Sequence, residues 1–216
     1  MENFLVRVVL PDRPGALGAV TSRIGAVGGD VVSLEILQRD KGAVVDEFGV
    51  TLPDRESIAL LEAEILEVDG VSVEIIRHRE GPFIDRDGEL LELAAHLVGA
   101  STLDRLARDL VGRVQTSLWT DFVALVDGET LTIVDGVGDL LPDEQLRALA
   151  LSTHSPRDWS DDDPGRLGSE HVAVAAMMRA GHTVVAGRRA PVWRPRERQW
   201  IAIMVELADQ AWRWVD

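Results

Sequence analysis

The spacing of apolar residues changes along this chain, and each change marks an element. Over residues 3–10 the period is two. Phe4, Val6, Val8 and Leu10 fall on one face and Leu5, Arg7 and Val9 on the other, which predicts a strand ended by Pro11. Leu17, Val20, Ile24 and Val27 then recur at helical spacing, and Gly28-Gly29 closes that helix. Residues 31–39 and 43–52 predict two further strands around Asp40-Lys41-Gly42, a hairpin turn. Pro53-Asp54 opens a second helix with Ile58, Leu61, Ile65 and Val68 on one stripe. Asp69-Gly70 turns the chain, and residues 71–79 predict a fourth strand.

The order βαββαβ implies a ferredoxin-like sandwich, one four-stranded antiparallel sheet covered by two helices. Past Gly81-Pro82 the period changes. Residues 89–98 and 103–114 predict helices. Residues 118–126 and 130–134 predict strands on either side of Asp127-Gly128-Glu129, and 142–150 a short helix. Residues 152–170 hold turn formers and acids without any period and read as a long loop. Residues 171–179 and 183–188 form a second hairpin around Ala180-Gly181-His182, and residues 196–214 a closing helix. This half is α+β, an antiparallel sheet with helices packed at its ends. The expected division is residues 1–80, a linker at 81–86, and residues 87–216.

Composition narrows the function classes. Of 216 residues 46% are hydrophobic, enough for one or two domains with buried cores. No apolar run approaches the roughly 18 to 20 residues that cross a bilayer. Met1 to Arg7 lack the features of a signal peptide, so a cytoplasmic protein is expected. The absence of cysteine excludes disulfides, thiol catalysis and thiolate metal sites. The net charge is −15, with 15 acidic against 8 basic residues over 1–80 and 22 against 14 over the remainder. Neither half carries the basic footprint that nucleic acid or an anionic membrane requires, and neither partner is expected. All six tryptophans lie at or beyond Trp119, which suggests two units with different cores.

The candidate chemistry lies in the first strand-to-helix junction, "DRPGAL". A helix entered straight from a strand presents unpaired amides and the positive end of its dipole, and can receive a carboxylate or phosphate there. Pro14 is pre-set for a first helical turn, and Gly15 lets a ligand approach the backbone. Asp12 is a candidate N-cap, and Arg13 adds positive charge. The same residues also make a good turn in any fold.

This junction, the glycine-ended helix, the second strand beginning "GGDVVSLEIL" and the βαββαβ order resemble the ACT domain, over residues 3–80. That resemblance implies a regulatory module that binds an amino acid or similar effector between two copies, hence a homodimer. It implies a site made of Asp12, Arg13, Pro14, Gly15, Ala16 and Leu17 in the loop, with Asp30 at the start of the second strand. Asp30 departs from the asparagine common there: an ionised carboxylate only accepts hydrogen bonds and repels a ligand carboxylate, so it either meets the ligand's α-amino group or simply ends the helix as an exposed charge.

The leading helices, the two hairpins and the tail "RPRERQWIAIMVELADQAW" resemble a GAF domain, related to PAS domains, over residues 87–216. That implies a small-molecule sensory fold, without a diagnostic ligand motif. Trp119, Trp193, Trp200 and Trp212 are candidates to line a pocket or to fill a core. "FIDRDGELL" is similar to the Asp-x-Asp loop of haloacid-dehalogenase-type phosphatases. Glu89 stands where those enzymes have Thr or Ser, and no lysine follows Lys41.

His78, His96, His154, His171 and His182 show no metal-binding spacing, and Asp161-Asp162-Asp163 lacks that of a calcium loop. No catalytic residue, metal or cofactor is expected. The expectation is a non-catalytic regulatory protein that binds a small effector and acts on an unidentified output protein. The alternatives are a ligand-free interaction module, an accessory subunit of an amino-acid-metabolism enzyme and, more remotely, a phosphatase.

Overall fold

In the first unit, strand β1 (Glu2–Pro11) is flanked on both sides by antiparallel strands. These are β3 (Ala43–Leu52) and β4 (Ser72–Arg79). With β2 (Asp30–Asp40) paired antiparallel to β3, the sheet order is β2-β3-β1-β4. Helices α1 (Ala16–Ala26) and α2 (Ser57–Leu66) complete the βαββαβ order. The structure is a computed structural model that describes residues 1–40, 42–81, 83, 86–152 and 171–215. The expected loop past Ser152, with its aspartate run and His154, lies outside these, as do Lys41 and Asp85.

Strand alternation decides the faces. Phe4, Val6, Val8 and Leu10 of β1 and Val44, Phe48, Val50 and Leu52 of β3 turn to one side. There they form a core with Ala16, Val20 and Ile24 of α1 and Leu61 and Ile65 of α2. Burial of each large apolar side chain contributes roughly 1.5–3 kcal/mol. The same period sends Arg7 and Glu47, opposite each other in register, to the other face, where both are buried and joined at 2.6 Å. On that face Phe83 lies against Gly49; a Cβ at Gly49 would stand 2.7 Å from its ring. Helix α2 begins at Ser57 rather than at Pro53-Asp54. Asp54 accepts bonds from the Ser57 amide (2.9 Å) and hydroxyl (2.8 Å) ahead of it.

The chain divides into two compact units, Met1–Asp85 with Arg194–Arg196, and Arg86–Trp193 with Glu197–Asp216. The second contains α3 (Arg86–Val98), α4 (Leu103–Leu118), β5 (Phe122–Asp127), β6 (Ile133–Gly138), α5 (Asp143–Leu151), β7 (Val172–Met177), β8 (His182–Gly187) and, from Glu197 onward, α6 (Pro195–Ala211). A short 3-10 helix, Trp212–Trp214, follows. Its sheet is antiparallel, in the order β6-β5-β8-β7. Phe122, Ala124, Val126, Val172 and Val185 pack with Leu146, Leu149 and Ala150 of α5. Among the described residues, no helix is long and apolar enough to cross a membrane.

Two expectations for this unit are corrected. Leu118 ends a helix instead of starting a strand, because Trp119 takes the left-handed conformation (φ 51°) as its C-cap. Thr130 precedes the next strand instead of opening it. Asp127 Oδ1 accepts from the Glu129 amide (3.0 Å), the Thr130 amide (2.7 Å) and the Thr130 hydroxyl (2.8 Å), which holds this segment as a loop. The tryptophans expected in a core or pocket divide: Trp193 and Trp200 are buried, whereas Trp119 and Trp212 are half-buried.

Arg188 ties the second unit together. It pairs with Glu197 at 2.6 Å, both about 1% exposed, and donates to the carbonyls of Leu118 (2.8 Å), Pro191 (2.6 Å) and Val192 (3.1 Å). Arg188→Ala removes the cation opposite Glu197 and the donors to three carbonyls. We expect it to cost about 3–5 kcal/mol of this unit's stability, read as a lowered urea midpoint at an unchanged slope.

Candidate functional site

Past Pro11 the chain makes a tight turn. The Asp12 amide donates to the Gly42 carbonyl (3.1 Å) and the Arg13 amide to the Pro11 carbonyl (2.8 Å). Gly15 sits at φ 88°, ψ −14° immediately before α1. An L side chain rarely adopts that conformation, and the space its Cβ would take is open to 4 Å. The Ala16 amide donates to Arg13 (3.3 Å) and the Ala19 amide to Gly15 (2.9 Å). The amides of Leu17 and Gly18 make no backbone hydrogen bond with any described residue. Those two donors stand at the positive end of the α1 dipole.

The expected loop residues lie at the β1–α1 junction, and several of their contacts differ from those expected. Asp12 does not cap α1, whose N-terminus has no side-chain cap; its carboxylate lies 3.8 Å from Arg39 Nε. Pro14 belongs to the turn and not to the first helical turn, since α1 begins at Ala16. Arg13 donates to the Asp69 carbonyl (3.1 Å), so its charge goes to the turn between α2 and β4. Ala16 is buried in the core, and Leu17 packs against it.

Asp30 is exposed at the first residue of β2, where it pairs in register with Thr51, itself opposite Asn3. Pro11 pairs with Ala43, which faces Asp40 at the far end of β2. Asp30 and the loop therefore occupy opposite ends of the sheet, on the order of 30 Å apart along the strand. One chain does not bring them together.

The structure adds a residue that the sequence reading did not single out. Asp46 faces Val8 on one side and Ile36 on the other, and alternation places it on the helix-covered face between Val44 and Phe48. It is 2% exposed, and its Oδ1 has no hydrogen-bond partner. Burial pushes its carboxyl above the ordinary carboxylate range, and the charge of Arg39 offsets part of that. Its neighbour Glu47, on the opposite face, has Arg7.

The signal was present in the pattern: a carboxylate among Val44, Phe48, Val50 and Leu52 on one side of a strand.

In the second unit a hollow of about 430 Å³ lies between α3 and α4, lined by Leu93, His96, Arg108, Asp109, Arg113 and Thr116 among others. Asp87 lies in the first turn of α3, and Glu89 there pairs with Arg86 at 3.0 Å. Among the described residues, no group of three or more metal-ligating side chains converges.

No family model and no curated protein matches this chain. Eighteen chains of solved structures match it. The crystal structure of an unknown protein from Galdieria sulphuraria is 15% identical, with a TM-score of 0.33, over 46% of this chain and 64% of that one. This chain thus spans less than two thirds of that neighbour's length. The solution structure of the ACT domain from the GTP pyrophosphokinase of Chlorobium tepidum is 13% identical, with a TM-score of 0.30, over 38% of this chain and 91% of that domain.

The raised Asp46 pKa fixes the sign of a pH effect. Folded chains hold this proton more tightly than unfolded ones. Stability from this group is therefore fully present below the ordinary pKa of 3.8 and falls as pH rises through the folded value. Asp46→Asn removes that loss. The melting temperature of the variant minus that of the native chain should rise as the pH is raised from the ordinary carboxyl value of 3.8 towards neutrality. A difference that stays constant across that range contradicts this account.

Proposed function

We propose that the chain is a non-catalytic regulatory protein whose first unit binds an amino acid or similar small carboxylate between two copies. The second unit, GAF-like in the order of its helices and hairpins, relays the bound state to an output protein. The observation that carries this reading is the edge strand β2. It pairs with β3 on one side only, and Val32, Leu34 and Ile36 along it are each more than 40% exposed. Free edges with apolar side chains invite pairing with another chain.

Antiparallel pairing of β2 with β2 about a two-fold axis would bring Asp30 of a second copy to the end where the first copy has Asp40 and the Asp12–Gly15 turn. The separation of these groups within one chain is then a property of a shared site. In this arrangement the ligand carboxylate meets the Leu17 and Gly18 amides, since the Ala16 amide is already engaged. A second reading, a ligand-free pairing module, is favoured by the negative charge that Asp30 would bring to the same place.

Thermal unfolding with each of the twenty amino acids at millimolar concentration separates the two readings. The effector reading expects a raised transition with at least one, lost in Gly15→Val; no shift with any of them leaves the pairing module. Light scattering tests the edge. The native chain is expected to be a dimer and Leu34→Lys/Ile36→Lys a monomer that keeps its fold. A native monomer overturns the shared site.

A further inference from the structure

Asp46 is the feature of this molecule least explained by stability. A buried carboxyl without a hydrogen bond costs free energy that a leucine at the same position would not, and such groups cluster at functional sites. Its position is specific. Helix α1 packs against β1 and against β2, and β3 lies between those two strands, so α1 covers this part of β3.

β1 leads directly into α1, and β3 runs antiparallel to β1. The first residues of β3, Asp46 among them, therefore lie under the N-terminal part of α1, where Leu17 and Gly18 present their open amides. Beside Asp46, on the edge strand β2, Ile36 is 46% exposed. Arg39 and Asp12 stand at the same end of the sheet, 3.8 Å apart.

We propose that Asp46 is the specificity-determining residue of this site: its carboxylate receives the ammonium group of the effector while the α1 amides hold the effector's carboxylate. This rests on the effector reading above and assigns the ammonium-binding role to β3 of the same chain and not to Asp30, the second-strand residue that the family resemblance implies for the site. The two ends of a zwitterion then meet groups of opposite sign, a fixed pair of N–H donors and a carboxylate with unused acceptor capacity. A bound ammonium supplies the partner that Asp46 lacks. A ligand with neither amine nor hydroxyl leaves Asp46 buried and unsatisfied, and a 2-hydroxyl offers one neutral donor in place of the charge-assisted bonds of an ammonium, so the site disfavours both.

The test is ligand-induced stabilisation of the full chain, with pairs of probes that differ only at the amine: alanine against lactate, and glycine against glycolate, with the remaining amino acids alongside. The native chain should respond more strongly to an amino acid than to the 2-hydroxy acid. Asp46→Asn and Asp46→Leu, both expected to melt no lower than the native chain without ligand, should bind that amino acid at least about tenfold more weakly. They should no longer distinguish it from the hydroxy acid.

If the native chain responds and both variants keep its preference for the amine, the role of Asp46 is overturned and the effector reading stands. If it responds equally to both members of a pair, the ammonium contact is overturned. A native chain that responds to no probe overturns the effector reading, and the role of Asp46 with it.

Discussion

Two consecutive acids on β3 are sent to opposite faces of one sheet, and the first unit depends on how each is accommodated. Glu47 meets Arg7 across the β1–β3 register at 2.6 Å, with both groups buried. Such a pair is costly to break and modest in net contribution, because desolvation of two charges offsets much of their attraction. Its larger effect is on register. A slip of one residue between β1 and β3 would carry Glu47 into the apolar core and turn Phe48 away from it, so competing registers lose the hydrophobic face at the same time. Asp46 is carried to the helix side by the same constraint. Its burial follows from the pairing that places Glu47 correctly.

The antiparallel register also separates the groups that an effector site would use. Antiparallel strands place consecutive turns at alternating ends, so the β1–α1 loop shares an end with the β2–β3 hairpin, and the start of β2 lies at the other. No local adjustment joins Asp30 to Gly15 across an 11-residue strand. A shared site in such a sheet has to be built from a second copy or from residues on a neighbouring strand at the loop's own end. β2 provides an apolar edge for the first route, and Asp46 lies on the second.

The backbone order of the first unit was legible because its core residues keep a strict period. β3 was located to the residue, and β1, β2 and β4 to within a residue at each end. The misplacements occur where a side chain or an unusual backbone conformation overrides the pattern. Leu118 continues an apolar run into "FVALV", and only the left-handed Trp119 separates helix from strand. Thr130 has a good strand composition but is held by Asp127.

At the candidate site the glycine that the turn requires was visible, and it lies at φ 88°. The directions taken by Asp12 and Arg13 were not, because each is set by a partner distant in sequence, Arg39 and Asp69. Asp46 was hidden for a different reason. Read beside Glu47 in the chain, it looks like half of a charged pair; read along its own face, it is the one acid between Val44 and Phe48.

A site divided between two chains has a thermodynamic consequence of its own. If an effector touches α1 of one copy and β2 of the other, binding and association are linked, and each strengthens the other by the same factor. The effector then shifts the equilibrium only through its preference for the paired state. Asp46 would enter this linkage differently. Its carboxyl is buried and lacks a hydrogen bond within a single copy, beside the exposed Ile36 of the edge strand. Its cost is therefore present whether or not the edge is paired, and an ammonium group bound there would relieve it in either state. The acid would then raise affinity for the effector, while the apolar β2 edge would supply the pairing that the effector tightens.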